Sequence, residues 1–178
     1  AIADVDQANN CHWIRLAASR YVKDRKRAAA KGRPFKFSLI HASDACDFIE
    51  KLPHVEGKWK TPTIVLHASH VFFVVQLFGF RKRAKVKITG YGEFRPRRFT
   101  SALFAVARKN AKSTLAAAIL NYCLCCEPEE GAQVISAATT FPQASIIFNI
   151  SKRMVEKTKD LRDAFGLEVW AKAISRFE

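Results

Sequence analysis

No stretch of this sequence is apolar enough to span a bilayer. The most apolar run, Ile64 to Phe80, is interrupted by His67, Ser69, His70 and Gln76, whose burial in hydrocarbon would be costly. A core helix is the expected state of that run. Nor is a secretory leader expected at the start of the sequence, because Ala1 to Asn10 carries acids where a leader has a basic segment followed by an apolar one. The chain begins without Met, which points to processing or to a piece of a longer protein. Five cysteines, Cys11, Cys46, Cys123, Cys125 and Cys126, are an odd number; with no leader, that argues against a disulfide framework and for reduced thiols. Cys123 and Cys126 form a CxxC pair, but no second pair follows. Both sit in an apolar stretch that reads as helix, where cysteine packs as a small hydrophobe, so zinc is not expected. Internal repeats and low-complexity tracts are absent.

Acidic residues are scarce: 16 Asp and Glu face 30 Lys and Arg, for a formal net charge of +14. Self-repulsion of that size is usually tolerated because a polyanion neutralises it, which makes nucleic acid or nucleotide phosphate the first partner to consider. A solvated basic surface is the alternative. With 178 residues, 49% of them hydrophobic, there is material for one buried core and too little length for two ordinary domains.

The spacing of Trp13, Leu16, Ala17, Arg20, Tyr21 and Asp24 predicts an amphipathic helix from Gln7 to about Ala30, stopped by Gly32 and Pro34. A second helix is expected over His41 to Leu52, burying Ala45, Phe48, Ile49 and Leu52, and a third over Leu66 to Phe78. Past Phe80 the period changes: Val86 and Ile88 alternate with Lys85, Lys87 and Thr89, as in a short basic strand that turns at Gly90 and Gly92. Phe99 to Val106 is nearly continuously apolar and suits a strand covered on both faces. A helix follows over Lys112 to Cys126. Gln133 to Ala137 reads as another strand, Pro142 opens a helix that reaches Lys157, and Leu167, Val169 and Ala171 suggest a last strand. Strand, helix, strand, helix, strand is the order of a parallel α/β sheet.

The segment with chemistry in it is VARKNAKST, Val106 to Thr114, set where the apolar strand turns into a helix. A phosphate cradle needs backbone N–H groups converging on one concavity, the partial positive charge of a helix N-terminus, a lysine for the β and γ phosphates and a hydroxyl for Mg²⁺. Lys112 and Ser113 fill the last two roles. Val106 and Ala111 stand where the general pattern has glycines; taken by itself, Lys-Ser at a helix start also reads as an ordinary helix terminus. Alanine in place of glycine at Ala111 costs less if the backbone there stays at negative φ, since only positive φ strongly demands glycine.

The surroundings narrow the reading. RRFTSALFAVARKNAKSTLAAAIL, Arg97 to Leu120, resembles the deviant P-loop of bacteriophage large terminase subunits, in which a basic pair precedes an Asn-Gly-Lys-Ser/Thr core and an Ala-rich helix follows. FIEKLPHVEGK, Phe48 to Lys58, is similar to that family's Phe-Ile-Glu, Leu-Pro-His, Gly-Lys segment. Leu66 to Phe80 is similar to its Leu, Gln, Phe, Phe-Gly helix, and VISAATTFPQA, Val134 to Ala144, to its Ser-Ala-Ala-Thr strand end. The four matches occur in order across nearly the whole chain.

The resemblance implies a fold and a set of roles. The fold is α/β, a P-loop NTPase-like partial parallel sheet with helices on both faces, with residues 1–80 as an N-terminal helical extension and 81–178 as the ATPase core. Val106, Ala107, Asn110, Ala111, Lys112, Ser113 and Thr114 would hold ATP, Ser113 would ligate Mg²⁺, and Arg108, Lys109 and Lys112 would be the catalytic cations near the γ phosphate. For Arg108 and Lys109, DNA-backbone contact or plain solvation is the alternative. His70 stands where the family has a Gln that reads adenine, with Gln76 as a second candidate; a neutral imidazole offers one hydrogen bond where an amide offers a donor and an acceptor together. An apolar strand ending in Asp-Glu is not recognisable before Glu178, and Asp160 and Asp163 read as surface residues, so the chain as it stands is expected to hydrolyse ATP weakly or not at all. The implied setting is the host cell cytoplasm, with double-stranded DNA, the portal protein and the small terminase subunit as partners, a homo-oligomeric ring, and no membrane. Basic residues at Arg25 to Arg33, Arg81 to Lys87 and Arg95 to Arg98 would meet the DNA backbone. The competing reading is a nonenzymatic DNA-binding or phage assembly module derived from the same fold.

Overall fold

A computed structural model describes residues 11–129 and 132–176. In chain order these residues form α1 (His12–Ala29), β1 (Phe35–Phe37), α2 (Leu39–Lys51), α3 (Ala68–Gly79), β2 (Phe80–Lys82), β3 (Val86–Ile88), β4 (Gly92–Phe94), α4 (Lys112–Cys126), α5 (Phe141–Lys157), α6 (Lys159–Phe165), β5 (Leu167–Val169) and β6 (Ile174–Arg176). They gather into two compact units, 1–45 with 68–102 and 46–67 with 103–178, and the boundary falls inside α2.

In the first unit β1 pairs antiparallel with β2, Phe37 opposite Phe80. The far side of β2 is met by the segment after β4: Lys82 donates its N–H to the Pro96 carbonyl and Arg98 donates to that of Phe80, both at 2.8 Å. Aromatic rings fill the centre. Phe80, fully buried, meets Phe37, Phe35, Phe99 and Tyr21 edge to face with centroids 5.0 to 6.2 Å apart, the geometry in which ring quadrupoles attract. Gly79 is required at the end of α3 because a Cβ there would lie 2.6 Å from the Phe37 ring and 3.1 Å from the Ala42 Cβ. The strand expected at 85–89 is β3, the first arm of a hairpin with β4.

In the second unit α4 and α5 pack through small and apolar residues. Leu115, Ala117, Ala118, Tyr122 and Cys125 are buried on α4, and Ile150, Met154 and Val155 on α5. Phe48, near the end of α2, sets its ring against Tyr122 at 5.4 Å. β5 and β6 form a terminal antiparallel hairpin.

Helix positions follow the sequence reading closely. α4 spans the expected residues, α5 begins one residue before Pro142, and Ala45 and Ile49 of α2 and Leu52 just after it are buried as expected, with Phe48 half-buried. α1 differs in its inward face, which is Ala18, Asp24 and Ala28, while Trp13 and Leu16 are exposed; the part of this helix expected at residues 7–10, like the amino-terminal segment read for a leader, lies outside the described residues.

The strands expected at 99–106 and 133–137 are not strands, and among the described residues every ladder is antiparallel, in three two-stranded sheets. The described residues therefore form a mixed helix and sheet fold without the parallel sheet that the element order suggested. The physical reason is that an apolar, extended-looking run becomes a strand only when a neighbouring strand takes up its N–H and C=O groups. Both runs keep a strand's period of two in their burial: Phe104 and Val106 are half-buried beside exposed Leu103 and Ala105, and Val134 and Ser136 beside exposed Gln133 and Ile135.

Candidate phosphate-binding site

Residues 106–114 lead into the N-terminus of α4 in the second unit. α4 forms because KSTLAAAILNYCLCC is rich in Ala and Leu and contains no Gly or Pro. No side chain caps its N-terminus, which leaves the donors of its first turn with no cap of their own and the helix dipole directed at the preceding loop.

That loop is held by its own groups. Lys112 donates from Nζ to the carbonyl of Val106 at 2.8 Å. The Asn110 side-chain amide donates to the carbonyls of Ala107 at 3.2 Å and Arg108 at 3.3 Å. These bonds turn the chain through Arg108, Lys109 and Asn110 so that Val106 and Lys112 face each other across the loop. Arg108, Lys109, Asn110, Ala111 and Lys112 are exposed, Ser113 and Thr114 half-buried. An ammonium, a hydroxyl and a helix N-terminus thus occur within the first two residues of α4, residue types suited to phosphate and to a metal ion bound with it.

Two backbone angles decide what the missing glycine costs. Ala111 lies at φ 48° and ψ 27°, in the left-handed region, so the condition of negative φ is not met; Lys109 shares that region at φ 64°. The pattern glycine is thus replaced by alanine at a position where a Cβ crowds the backbone, at a cost of roughly 1 to 2 kcal/mol for each residue. The left-handed turn itself is what reverses the chain into α4. Nothing in the sequence marked Lys109 as left-handed, and the carbonyl of Val106 as the partner of Lys112 was equally invisible, since a main-chain acceptor carries no residue signature.

The other segments singled out by sequence fall as follows. His70 is half-buried in the first turns of α3, and α3, with buried Gln76, belongs to the first unit. Gln76 is occupied there: its amide donates to the Phe72 carbonyl at 3.3 Å and its oxygen accepts from Arg20 at 3.3 Å, so it reads as a structural residue. In the second unit Glu50 accepts the N–H of Leu66 at 2.9 Å, and His54 stacks on Trp59 at 4.4 Å. Ser136 donates to the Ala144 carbonyl at 2.9 Å and Thr139 to Gln143 at 2.7 Å, which ties the 134–139 run to the start of α5. Asp160 and Asp163 are exposed.

Burial raises the thiol of Cys46 to about 11, with Glu50 and Asp47 adding to the effect. Burial raises Cys125 to about 12, against a smaller opposing pull from Arg176. Neither is a ready nucleophile. Among the described residues no group of three or more His, Cys, Asp or Glu side chains is placed to hold a metal ion, and no helix is long and apolar enough to cross a membrane.

A family model described as the terminase large subunit, ATPase domain, matches residues 69–165, a range that includes all of α3 but its first residue, the whole 106–114 segment and α4 to α6. No curated protein and no solved structure matches the chain.

Proposed function

This chain belongs to the terminase large subunit ATPase-domain family, and on that premise we propose that residues 106–114 bind the phosphates of ATP for a motor that drives double-stranded DNA into a viral procapsid. The observation that supports this most is the loop in which Lys112 reaches back to the Val106 carbonyl at the uncapped N-terminus of α4, inside the matched range.

In this reading the Lys112 ammonium leaves the Val106 carbonyl for the β and γ phosphates, an exchange of a neutral acceptor for a charged one that strengthens the bond. The N–H groups of the first turn of α4 complete the cradle. Ser113 would hold Mg²⁺, which would neutralise phosphate charge when bound. Arg108 and Lys109 carry positive charge on the exposed rim of the loop, where they stabilise negative charge spread over the equatorial oxygens in the transition state.

The test is metal dependence. ATP binding followed by fluorescence of a labelled analogue should require Mg²⁺ and weaken at least tenfold in Ser113→Ala. Binding that is indifferent to both would remove the phosphate-site reading. Salt-sensitive DNA binding without any nucleotide binding would point to a nonenzymatic assembly module.

A further inference from the structure

Between α2 and α3, in the second unit, residues 53–63 form a loop that holds one large aromatic ring at the surface. Its base is closed: Pro53 and Thr63 form an antiparallel bridge, His54 donates its N–H to the Pro62 carbonyl at 3.2 Å, and Ile64 donates to that of Leu52 at 2.9 Å. Inside the loop the Trp59 indole N–H donates to the Glu56 carbonyl at 2.6 Å. The His54 ring lies flat against the indole, with 4.4 Å between centroids and 11° between planes. Gly57, at φ 79°, leaves the indole edge clear, since a Cβ there would sit 3.3 Å from Nε1. The ring is thus fixed by one edge and one face, and Trp59 is still 60% exposed.

A ring already immobilised, with its second face open, gives up little further freedom when a flat partner lies against it. The rest of the loop says which partner that is. Glu56, Lys58, Lys60 and Thr61 around the ring are polar or charged and exposed. Val65, the next exposed large apolar side chain along the sequence, lies past the bridge. An aromatic anchor of a protein interface is ringed by further contact residues that keep water out. A nucleobase needs only a π face and cations near enough for the phosphates on either side of it, which is the pattern Lys58-Trp59-Lys60 offers.

We propose that Trp59, backed by His54, is a stacking surface for one unpaired nucleobase, with Lys58 and Lys60 as partners of the phosphates beside it. A base inside a duplex has both faces covered by its neighbours, so the site takes a single strand or a free nucleotide and not paired DNA. Stacking of this kind tolerates any base, because every base has a π face. The proposal stands apart from the phosphate-site reading of residues 106–114 and does not rest on it.

The test uses the full chain carrying Trp13→Phe and Trp170→Phe, both at exposed positions, so that Trp59 is the one tryptophan left of three. A short oligothymidylate should quench its fluorescence saturably, and an abasic strand of the same length, with the same phosphates and no bases, should not. Binding followed by anisotropy of the labelled oligothymidylate should weaken about tenfold in Trp59→Ala and be largely restored in Trp59→Phe, while the abasic strand binds all three proteins equally. Lys58→Gln with Lys60→Gln should keep the quenching at saturation and make the log–log salt dependence shallower by about 1.4, the share of two phosphates of a single strand. Equal binding of the two strands, or oligothymidylate binding that Trp59→Ala leaves unchanged, would overturn the proposal for a strand. Quenching by ATP alone would make a free nucleotide the source of the base, and quenching by neither ligand would overturn the proposal outright. Lys112→Ala separates it from the phosphate-site reading: ATP quenching that is lost in this variant puts base and phosphates on one bound nucleotide, whereas quenching that survives leaves the stacking surface standing without that site.

Discussion

Lys112 donates to the carbonyl of Val106 at 2.8 Å, and between them Ala111 sits at φ 48°. The hydrogen bond and the left-handed residue belong to one device: the reversal at Ala111 is what turns Lys112 back toward the start of the loop. An alanine there is strained and a glycine is not. Ala111→Gly should therefore raise stability by about 0.5 to 1 kcal/mol in urea unfolding, the gain being limited by the greater freedom of glycine in the unfolded chain. A loss of stability would show that the loop holds a different conformation.

Asn121 and Ser151 join α4 to α5 inside the second unit. Ser151 donates from Oγ to Asn121 Oδ1 at 2.6 Å, the Asn121 amide points at the Ser151 carbonyl at 3.4 Å, and both residues are buried. Ser151→Ala leaves a buried carbonyl oxygen without its donor and should cost about 1 to 3 kcal/mol. Exchanging both for apolar residues of similar shape should cost less than the sum of the two single changes, as a double-mutant cycle by thermal unfolding would show.

Asp24, with its side chain 5% exposed, lies 2.9 Å from Arg98 Nη1 through Oδ2 and 3.5 Å from Nη2 through Oδ1. The shorter approach is an ion pair whose angle is poor for a hydrogen bond. Arg98 also lies over the Phe35 ring at 3.7 Å, so its position is fixed from two sides. Asp24→Asn keeps the shape, removes the counter-charge and should cost about 2 to 3 kcal/mol. Arg27→Gln, which removes an exposed partner 3.8 Å away, should cost less than about 1 kcal/mol.

The raised thiols predict a reactivity pattern and a pH dependence. Iodoacetamide at pH 8 should modify exposed Cys11 first, and Cys46 and Cys125 only slowly. Because both folded-state values lie above the ordinary 9.0, the folded protein holds these protons more tightly than the unfolded chain. Stability is unaffected by them at lower pH and falls as pH rises through 9 toward 11 and 12. Rapid labelling of Cys125 in the native state, resolved by peptide mass, would contradict this account.

Local signals explain which parts of this fold could be read in advance. Pro142 at a first turn, the Ala-rich run after Lys112 and the three-four spacing of Ala45, Ile49 and Leu52 each act within a few residues, and α5, α4 and α2 lie where they indicated. Phe99 to Val106 and Gln133 to Ala137 carry the apolar character of strands, but a ladder depends on a partner elsewhere, which no local pattern supplies. The same division holds at the site. Lys112 and Ser113 were marked by their place at a helix start, whereas the left-handed backbone of Lys109 and Ala111 and the Val106 carbonyl belong to the main chain. The approach of the stretch after β2 to the end of α1 rests on the Arg83 bonds to Ala28 and Pro34, which no local pattern announces.

The central claim is that residues 106–114 are a nucleotide phosphate site, and titration calorimetry of Mg·ATP into the chain and into Lys112→Ala tests it most directly. The account predicts saturable binding to the chain and its loss, by at least a hundredfold, in the variant. Equal binding to the two proteins, or binding to neither, would contradict it.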